Sequence, residues 1–197
     1  AAGGAAAKLL LDLGYRHLTL CDKDGILVPG TPGQPSHHEE LAARTNPEKR
    51  TGTLAEALVG ADVFIGVSRP GLVTGAMVET MAKDPVILAM ANPVPEIMPD
   101  EALAHGAAVV GTGRSDFPNQ INNVLVFPGL FKGALSCGAV QITEGMKYAA
   151  AQALADMVAP EDLSPTCILP SPLNRAAADA VANAVAAEAR RTGHARF

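Results

Sequence analysis

Three asparagine side chains follow predicted strands, where they are placed to hold a small polar ligand. Asn92 stands between an apolar run, 85–89, and Pro93, which restricts its backbone to extended conformations. Asn122 and Asn123 are adjacent, so their side chains point in different directions. A carboxamide both donates and accepts hydrogen bonds, which suits a ribose hydroxyl, a nicotinamide or a carboxylate. The alternative is that these residues cap turns and helices, as asparagine usually does.

A second pattern, at the start of the sequence, fits half of a dinucleotide-binding unit. Such a unit runs strand, glycine-rich turn, helix, strand and acidic residue; the helix N-terminus faces a pyrophosphate and the acid binds a ribose. Gly3 fits the third glycine, and Asp22 stands 19 residues further on, directly after the apolar run 17–21. The first strand and two glycines would precede residue 1, so we expect a fragment whose first strand is missing. Taken alone, this corner fits many α/β proteins equally well.

The elements that would position these residues alternate between strand and helix. Each predicted strand is continuously apolar, which is typical of a parallel sheet covered by helices on both faces. We therefore predict an α/β fold with a doubly wound, Rossmann-type parallel sheet, in one domain over residues 1–197. Ser36 and Thr53 are predicted helix caps, each with a glutamate three residues on. The predicted strands cover 17–21, 62–67, 85–89 and 107–111; the predicted helices cover 5–13, 36–44, 53–59, 74–82, 100–105, 128–136, 143–157 and 174–191.

The composition excludes several classes of function. Hydrophobic residues make up 48% and charged residues 18%, as in globular domains. A net charge of −5 and an aromatic content of 4% argue against nucleic-acid binding. No apolar run approaches the roughly 18 residues that span a bilayer, so no membrane partner is expected. Cys21, Cys137 and Cys167 form no Cys-x-x-Cys pair, which favours free thiols and a cytoplasmic location.

Other residues of chemically useful type stand in weaker patterns. His37 and His38 are adjacent and therefore point apart, and no acidic or cysteine pattern supports them as metal ligands. Arg69 and Arg114 are of the type that clamps an anion, but we expect them to be solvated or paired within the structure. None of these four residues is predicted to form a site.

Longer segments resemble the C-terminal half of malic enzymes, particularly the compact bacterial kind. The resemblance covers nearly the whole chain. Most of the weight lies on the run from 113 to 129, which is long and unusual and contains Gly-Arg-Ser-Asp-Phe-Pro-Asn-Gln-Ile-Asn-Asn-Val and Phe-Pro-Gly. The other similar segments are 20–25, 51–58, 60–68, 90–93 and 168–172.

This resemblance implies NAD(P)-dependent oxidation of L-malate and decarboxylation to pyruvate. It also implies Mg²⁺ or Mn²⁺, a Lewis acid on the 2-oxygen and the developing enolate. Asp22 slightly favours NAD, because a 2′-phosphate would meet a carboxylate, although Lys23 beside it offsets that charge. Asn123 would bind a malate carboxylate. The implied cofactor-side residues are Ala1, Ala2 and Gly3 in the pyrophosphate turn, Asp22 and Lys23 at the ribose, and Asn92 and Asn122.

The resemblance also implies what this chain does not carry. The family's catalytic tyrosine and lysine and its three acidic metal ligands precede the glycine turn, so no catalytic or metal-binding residue is predicted in this chain. We expect residues 1–197 alone to bind dinucleotide at best and not to oxidise malate. The complete family members usually form homodimers or larger assemblies.

Two other functions remain open from the sequence. One is the NAD-binding domain of another two-domain dehydrogenase, acting on an amino acid or a folate, which should lack the run from Asn122 to Gly129. The other is a non-catalytic dinucleotide-sensing module, which should keep the glycines of its phosphate-binding turn.

Overall fold

The structure is a computed structural model that describes residues 2–197 and divides into two compact units, one ending at Val110 and one spanning Gly111–Phe197. Ala1, predicted to lie in the pyrophosphate turn, is outside the described residues. The helices are α1 (Ala2–Asp12), α2 (Ser36–Thr45), α3 (Leu54–Leu58), α4 (Gly75–Glu79), α5 (Pro99–Ala104), α6 (Phe127–Ser136), α7 (Glu144–Ala155) and α8 (Arg175–Arg191). The strands are β1 (Cys21–Asp22), β2 (Gly25–Ile26), β3 (Val63–Gly66), β4 (Val86–Ala89) and β5 (Val109–Thr112).

Three strands form a sheet in the order β3-β4-β5, of which β3, β4 and the first two residues of β5 belong to the first unit. β3 pairs in parallel with β4, in a register that sets Val63 opposite Val86 and Gly66 opposite Ala89. One face of this sheet is covered by short helices, and the core contains Leu58, Phe64, Val78, Ile87, Ala102 and Val110. The α/β fold with a parallel sheet predicted from the apolar runs is therefore confirmed. Val63 and Ile65 leave the other side of β3 exposed in this unit, so the predicted cover of that second face stays a prediction.

The predicted strand at 17–21 differs from the structure in extent and pairing. Regular pairing begins at Cys21, where β1 forms a two-residue antiparallel hairpin with β2. The chain reverses at Gly25, whose φ of 112° is open to glycine and whose missing Cβ leaves room for the carbonyl oxygen of Gly52. The Leu27 N–H donates to the Leu20 carbonyl at 2.8 Å, which adds one bond to the hairpin, but residues 17–20 are not part of a strand in the described structure.

Helix caps show where a local pattern predicts a helix start and where it fails. At α3, Thr53 Oγ1 accepts from the Glu56 N–H at 3.3 Å and Glu56 accepts from the Thr53 N–H at 2.7 Å, which confirms the predicted capping box. The Thr53 N–H and the Thr53 hydroxyl both donate to the Glu56 carboxylate, and these two bonds hold the pKa of Glu56 below its usual value. At α2 the predicted Ser36 cap is wrong: the helix begins at Ser36 itself, and Glu39 instead accepts from the Gly30 N–H at 2.9 Å.

The second unit packs α6, α7 and α8 around a small apolar core that includes Met146, Val181 and Val185. Its helices confirm the predicted change from alternating elements to three helices. Asn174 caps α8, because its side chain accepts from the Ala176 N–H at 3.0 Å. Within residues 2–197, none of the helices has the length and apolar character needed to cross a membrane.

Close contact between α6 and α8 depends on two glycines of α6. A Cβ added at Gly129 would lie 2.6 Å from Val181 Cβ, and one at Gly133 would lie 2.5 Å from the carbonyl oxygen of Ala182. Because real Cβ atoms do not approach other heavy atoms so closely, the observed approach of the two helices at these positions requires glycine.

We expect Gly133→Ala to lower the free energy of unfolding by about 1–2 kcal/mol, because the cost of overpacking exceeds the gain in helix propensity. The measurement is urea unfolding monitored by circular dichroism. The matched control is Gly145→Ala in α7, whose new Cβ would meet only the carboxylate end of Glu188, a side chain that can move. Equal stability of the two variants would contradict this account of the helix contact.

Candidate functional site

Glu96 joins the loops that follow β3 and β4 in the first unit. Its side chain is fully buried, with 0% exposure. Oε1 accepts from the Ser68 N–H at 2.7 Å, and Oε2 accepts from the Ala91 N–H at 2.9 Å. Since Ser68 follows β3 and Ala91 follows β4, one carboxylate satisfies a backbone donor on each of the two loops.

Backbone hydrogen bonds strengthen the same connection. The Gly71 N–H donates to the Pro95 carbonyl at 3.2 Å, and the Val73 N–H donates to the Glu96 carbonyl at 3.0 Å. The two loops therefore form one hydrogen-bonded rim at the carboxyl edge of β3 and β4, and we call residues 67–73 together with 90–97 the strand-end rim. In open α/β sheets, ligands bind beyond this edge.

Asn92 lies exposed in the strand-end rim. It directly follows Ala91, whose N–H Glu96 accepts, and it precedes Pro93, to which it is joined by a cis peptide bond. The hydrogen bonds at Ala91 and at the Glu96 carbonyl hold the loop before and after Asn92, while Asn92 itself is exposed. This arrangement is compatible with the predicted role of a ligand-binding carboxamide.

The first turn of α1 lies close to the end of β3. A Cβ added at Gly3 would be 3.4 Å from Val67 Cγ2, which is ordinary van der Waals contact. Ala2 is the first residue of α1. The first described turn of α1 therefore lies beside Val67 of the strand-end rim. That this turn holds a pyrophosphate, through the partial positive charge of a helix N-terminus, stays a prediction.

Asp22 and Lys23 have different surroundings on the β1–β2 hairpin. Asp22 Oδ1 accepts from the Asp24 N–H at 2.8 Å, and Oδ2 lies 3.8 Å from His38 Nδ1. The Lys23 ammonium instead pairs with Asp24 at 2.6 Å, a bond that raises the pKa of Lys23. The Lys23 ammonium is therefore paired with Asp24. This weakens the expectation that Lys23 offsets the negative charge of Asp22 towards a 2′-phosphate.

Asn122 and Asn123 lie in the second unit, at the start of a 3-10 turn over Asn123–Leu125. Asn122 Oδ1 accepts from the Val124 N–H at 3.0 Å, so this side chain does cap a turn, as the alternative interpretation of the sequence expected. Both residues are exposed, which leaves the Asn122 amide group and the Asn123 side chain accessible. That Asp22, Asn92 and Asn122 line one cleft stays a prediction.

Asn119 fixes the loop that leads to Asn122 and Asn123, a role the sequence did not reveal. It is 7% exposed and has a φ of 54°. Its Nδ2 donates to the Pro165 carbonyl at 2.8 Å, and its Oδ1 accepts from the Ile168 N–H at 3.0 Å. One carboxamide therefore holds segments that are far apart in the sequence.

Arg114 is paired within its own loop, as predicted. Its guanidinium donates to Asp116 through Nε at 2.9 Å and through Nη2 at 2.6 Å, and it lies 5.5 Å from the ring centroid of Phe117. The hydrogen bonds from Arg114 hold the pKa of Asp116 below its usual value. Arg114 is thereby engaged and is not counted among the candidate ligand-binding residues.

The most informative residue missed by the sequence analysis is Glu96. One signal could have identified it: an acidic residue flanked by Pro95 and Ile97, in a loop between buried elements, is placed where burial is expected. A buried carboxylate requires hydrogen-bond donors, and the N–H groups of Ser68 and Ala91, two residues beyond the ends of neighbouring strands, supply them. Among residues 2–197, no group of three or more His, Cys, Asp or Glu side chains is suited to hold a metal ion.

A parallel sheet whose strand ends form a rim, beside the N-terminus of a helix, defines a Rossmann-type α/β domain. The family model described as "Malic enzyme, NAD binding domain" matches residues 6–190. The chain therefore belongs to the malic enzyme NAD-binding domain family, which confirms the resemblance seen in the sequence.

Named relatives and solved structures agree with this family. The chain is 52% identical to the bifunctional malic/malolactic enzyme of Bacillus subtilis, covering all of this chain and 48% of that protein. It is 47% identical to the NAD-dependent malic enzyme of Geobacillus stearothermophilus, with 41% of that protein covered. The NAD-dependent malic enzyme of Thermotoga maritima superposes with a TM-score of 0.87 at 42% identity, over 93% of this chain and 48% of that one. The chain thus spans less than half the length of each of these curated relatives.

We expect the Cys21 thiol to be unreactive at pH 8, because burial, assisted by Asp22, raises its pKa to about 11. A thiol with the usual pKa of 9.0 has about 100-fold more thiolate at that pH. The measurement is the rate of iodoacetamide labelling at Cys21 by peptide mass spectrometry, compared with a model cysteine peptide. The rate should rise steeply towards pH 11 in the folded protein, and labelling at the model rate at pH 8 would show that the thiol is not shielded.

Proposed function

We propose that this chain forms the dinucleotide-binding part of a malate oxidoreductase that converts L-malate to pyruvate and CO₂ with NAD(P)⁺. The observation that carries the proposal is the strand-end rim, a hydrogen-bonded ligand edge with an outward carboxamide at Asn92, in a chain of the malic enzyme NAD-binding family. Relatives named as NAD-dependent and as NADP-dependent malic enzymes support the reaction class.

In this proposal each site residue binds or orients a ligand. Ala1, Ala2 and Gly3 form the pyrophosphate turn at the N-terminus of α1, where the partial positive charge of the helix favours an anion. Asp22 accepts hydrogen bonds from the adenosine ribose, with Lys23 beside it. Asn92 and Asn122 contact the coenzyme, and Asn123 donates to a malate carboxylate. Holding the two reactants in one geometry lowers the entropic barrier to hydride transfer.

We propose that the divalent cation of this reaction is held by residues outside 2–197. Within residues 2–197 the acidic, histidine and cysteine side chains form no group suited to Mg²⁺ or Mn²⁺. We therefore assign no metal ligand and no acid–base step to this chain, and its proposed contribution is limited to binding and orientation. A cytoplasmic homodimer or larger assembly, with no nucleic-acid or membrane partner, completes the proposal.

We expect Asn123→Ala, in the natural full-length protein, to raise the KM for malate by roughly 10- to 100-fold while the Kd for NADH changes little, because one carboxylate hydrogen bond is lost. The assay contains malate, Mn²⁺ and either coenzyme. The matched control is Asn174→Ala, which removes the cap of α8 in the same unit and should lower stability without changing the KM.

The same assay separates the alternatives. Coenzyme binding without turnover of malate would overturn the malate oxidoreductase; turnover of an amino acid or a folate would then identify another dehydrogenase, and no turnover at all would indicate a sensing module. An unchanged KM in the Asn123 variant would refute only the role of that residue.

We expect the coenzyme preference to be for NAD, because Asp22 repels a 2′-phosphate and Lys23 is engaged by Asp24. Asp22→Ala should raise the ratio of kcat/KM for NADP over NAD by about tenfold or more, since a like charge close to the phosphate is removed. Asp100→Asn, an exposed carboxylate in the first turn of α5, serves as the control. A ratio that is the same in both variants would rule out Asp22 as the ribose acid.

A further inference from the structure

We propose that Glu96 is a positioning residue: its carboxylate holds the strand-end rim in the geometry that lets Asn92 bind the dinucleotide. The inference deepens the proposed function and rests on it, because coenzyme binding is the property that Glu96 is inferred to control. Glu96 itself is fully buried, so it does not touch the ligand and is not a catalytic residue.

The Glu96 carboxylate takes the place of a backbone acceptor at the end of the ladder between β3 and β4. The last backbone bond of the ladder between β3 and β4 is donated by the Met90 N–H to the Gly66 carbonyl at 3.0 Å. In a parallel ladder the next donor would be the Ser68 N–H, bonding to the Met90 carbonyl. Ser68 donates to Glu96 Oε1 at 2.7 Å instead. Glu96 therefore continues the connection between the two strands at the point where the loops begin.

A fitted space receives the carboxylate. A Cβ added at Gly66, the last residue of β3, would lie 2.5 Å from Glu96 Cδ and 2.7 and 2.8 Å from its two oxygens. Only glycine allows the carboxylate to lie against the strand backbone here. The position of the charge is consequently fixed by the strand below it as well as by its two N–H donors.

Glu96 controls the backbone on both sides of Asn92. Upstream, its side chain accepts from the Ala91 N–H at 2.9 Å. Downstream, its own carbonyl accepts from Val73 at 3.0 Å, which fixes the end of the same loop on the loop from β3. If the carboxylate is lost, one buried N–H group, of Ala91, and one partly buried N–H group, of Ser68, lose their acceptor, and the loop must move to satisfy them. The Asn92 carboxamide would move with it.

The test is Glu96→Gln in the natural full-length protein. Glutamine has the same shape but only one acceptor oxygen, so its amide group must face a backbone N–H donor. We measure the Kd for NADH by fluorescence at a temperature where thermal unfolding shows each variant to be folded. The expected result is a Kd at least tenfold higher and a similar fall in kcat/KM for the coenzyme.

Two further variants separate positioning from general stability. Glu56→Gln removes a carboxylate that also accepts from a backbone N–H, but at the start of α3, and should lower stability without changing the Kd. Gly66→Ala should raise the Kd by displacing the Glu96 carboxylate. In a Glu96→Ala background, adding Gly66→Ala should raise the Kd for NADH little further, because the carboxylate that the new methyl group would displace is already absent.

The outcomes distinguish the inference from the function on which it rests. If the wild type binds NADH and oxidises malate, while a folded Glu96→Gln protein has a Kd within twofold of it, Glu96 has no positioning role and only this inference fails. If the wild type binds no dinucleotide, both fail. Should Glu96→Gln not fold, Gly66→Ala decides, and an unchanged Kd in that variant also overturns the inference.

Discussion

Backbone N–H groups must be satisfied where parallel strands end, and the first unit depends on how this is achieved. β3 and β4 stop bonding to each other after Met90, yet the next donors are buried or partly buried. A single carboxylate, Glu96, accepts from both loops and removes the cost of leaving those donors unpaired. Because the strand-end rim is fixed in this way, an exposed side chain such as that of Asn92 can have a defined position although it lies in a loop and not in a helix or strand.

The second unit solves a similar problem with a carboxamide in place of a carboxylate. Asn119 donates to Pro165 and accepts from Ile168, so both functions of its amide are used by backbone. The left-handed φ of 54° at Asn119 suits asparagine better than most side chains. In each unit, therefore, a buried polar residue holds the loop that carries exposed asparagines. Asn92 and Asn123 are exposed, and Asn122 uses its Oδ1 to cap a turn while its amide NH₂ group stays accessible.

Local patterns predicted most of the fold, and long-range contacts explain most of what was missed. The capping box of Thr53 and Glu56 lies within four residues, and the helical periodicity of α8 lies within 17, so the sequence contains both signals. Whether residues 17–20 form a strand depends on a neighbouring strand to pair with, and no pattern within those residues shows whether one is present. The roles of Glu96 and Asn119 depend on partners 28 and 46 residues away in the chain. The amide residues, by contrast, stood out because they directly follow apolar runs.

The contact of α6 with α8 also forms with little loss of side-chain conformational entropy. The residues that α8 buries are alanines and valines, including Ala177, Ala182 and Ala186, and α6 meets them through Gly129 and Gly133. Alanine and glycine lose no rotamer freedom when they become buried, and valine loses little. Docking these helices therefore freezes few side-chain torsions, so a rather small apolar core is sufficient to hold the three-helix unit in a single packed state.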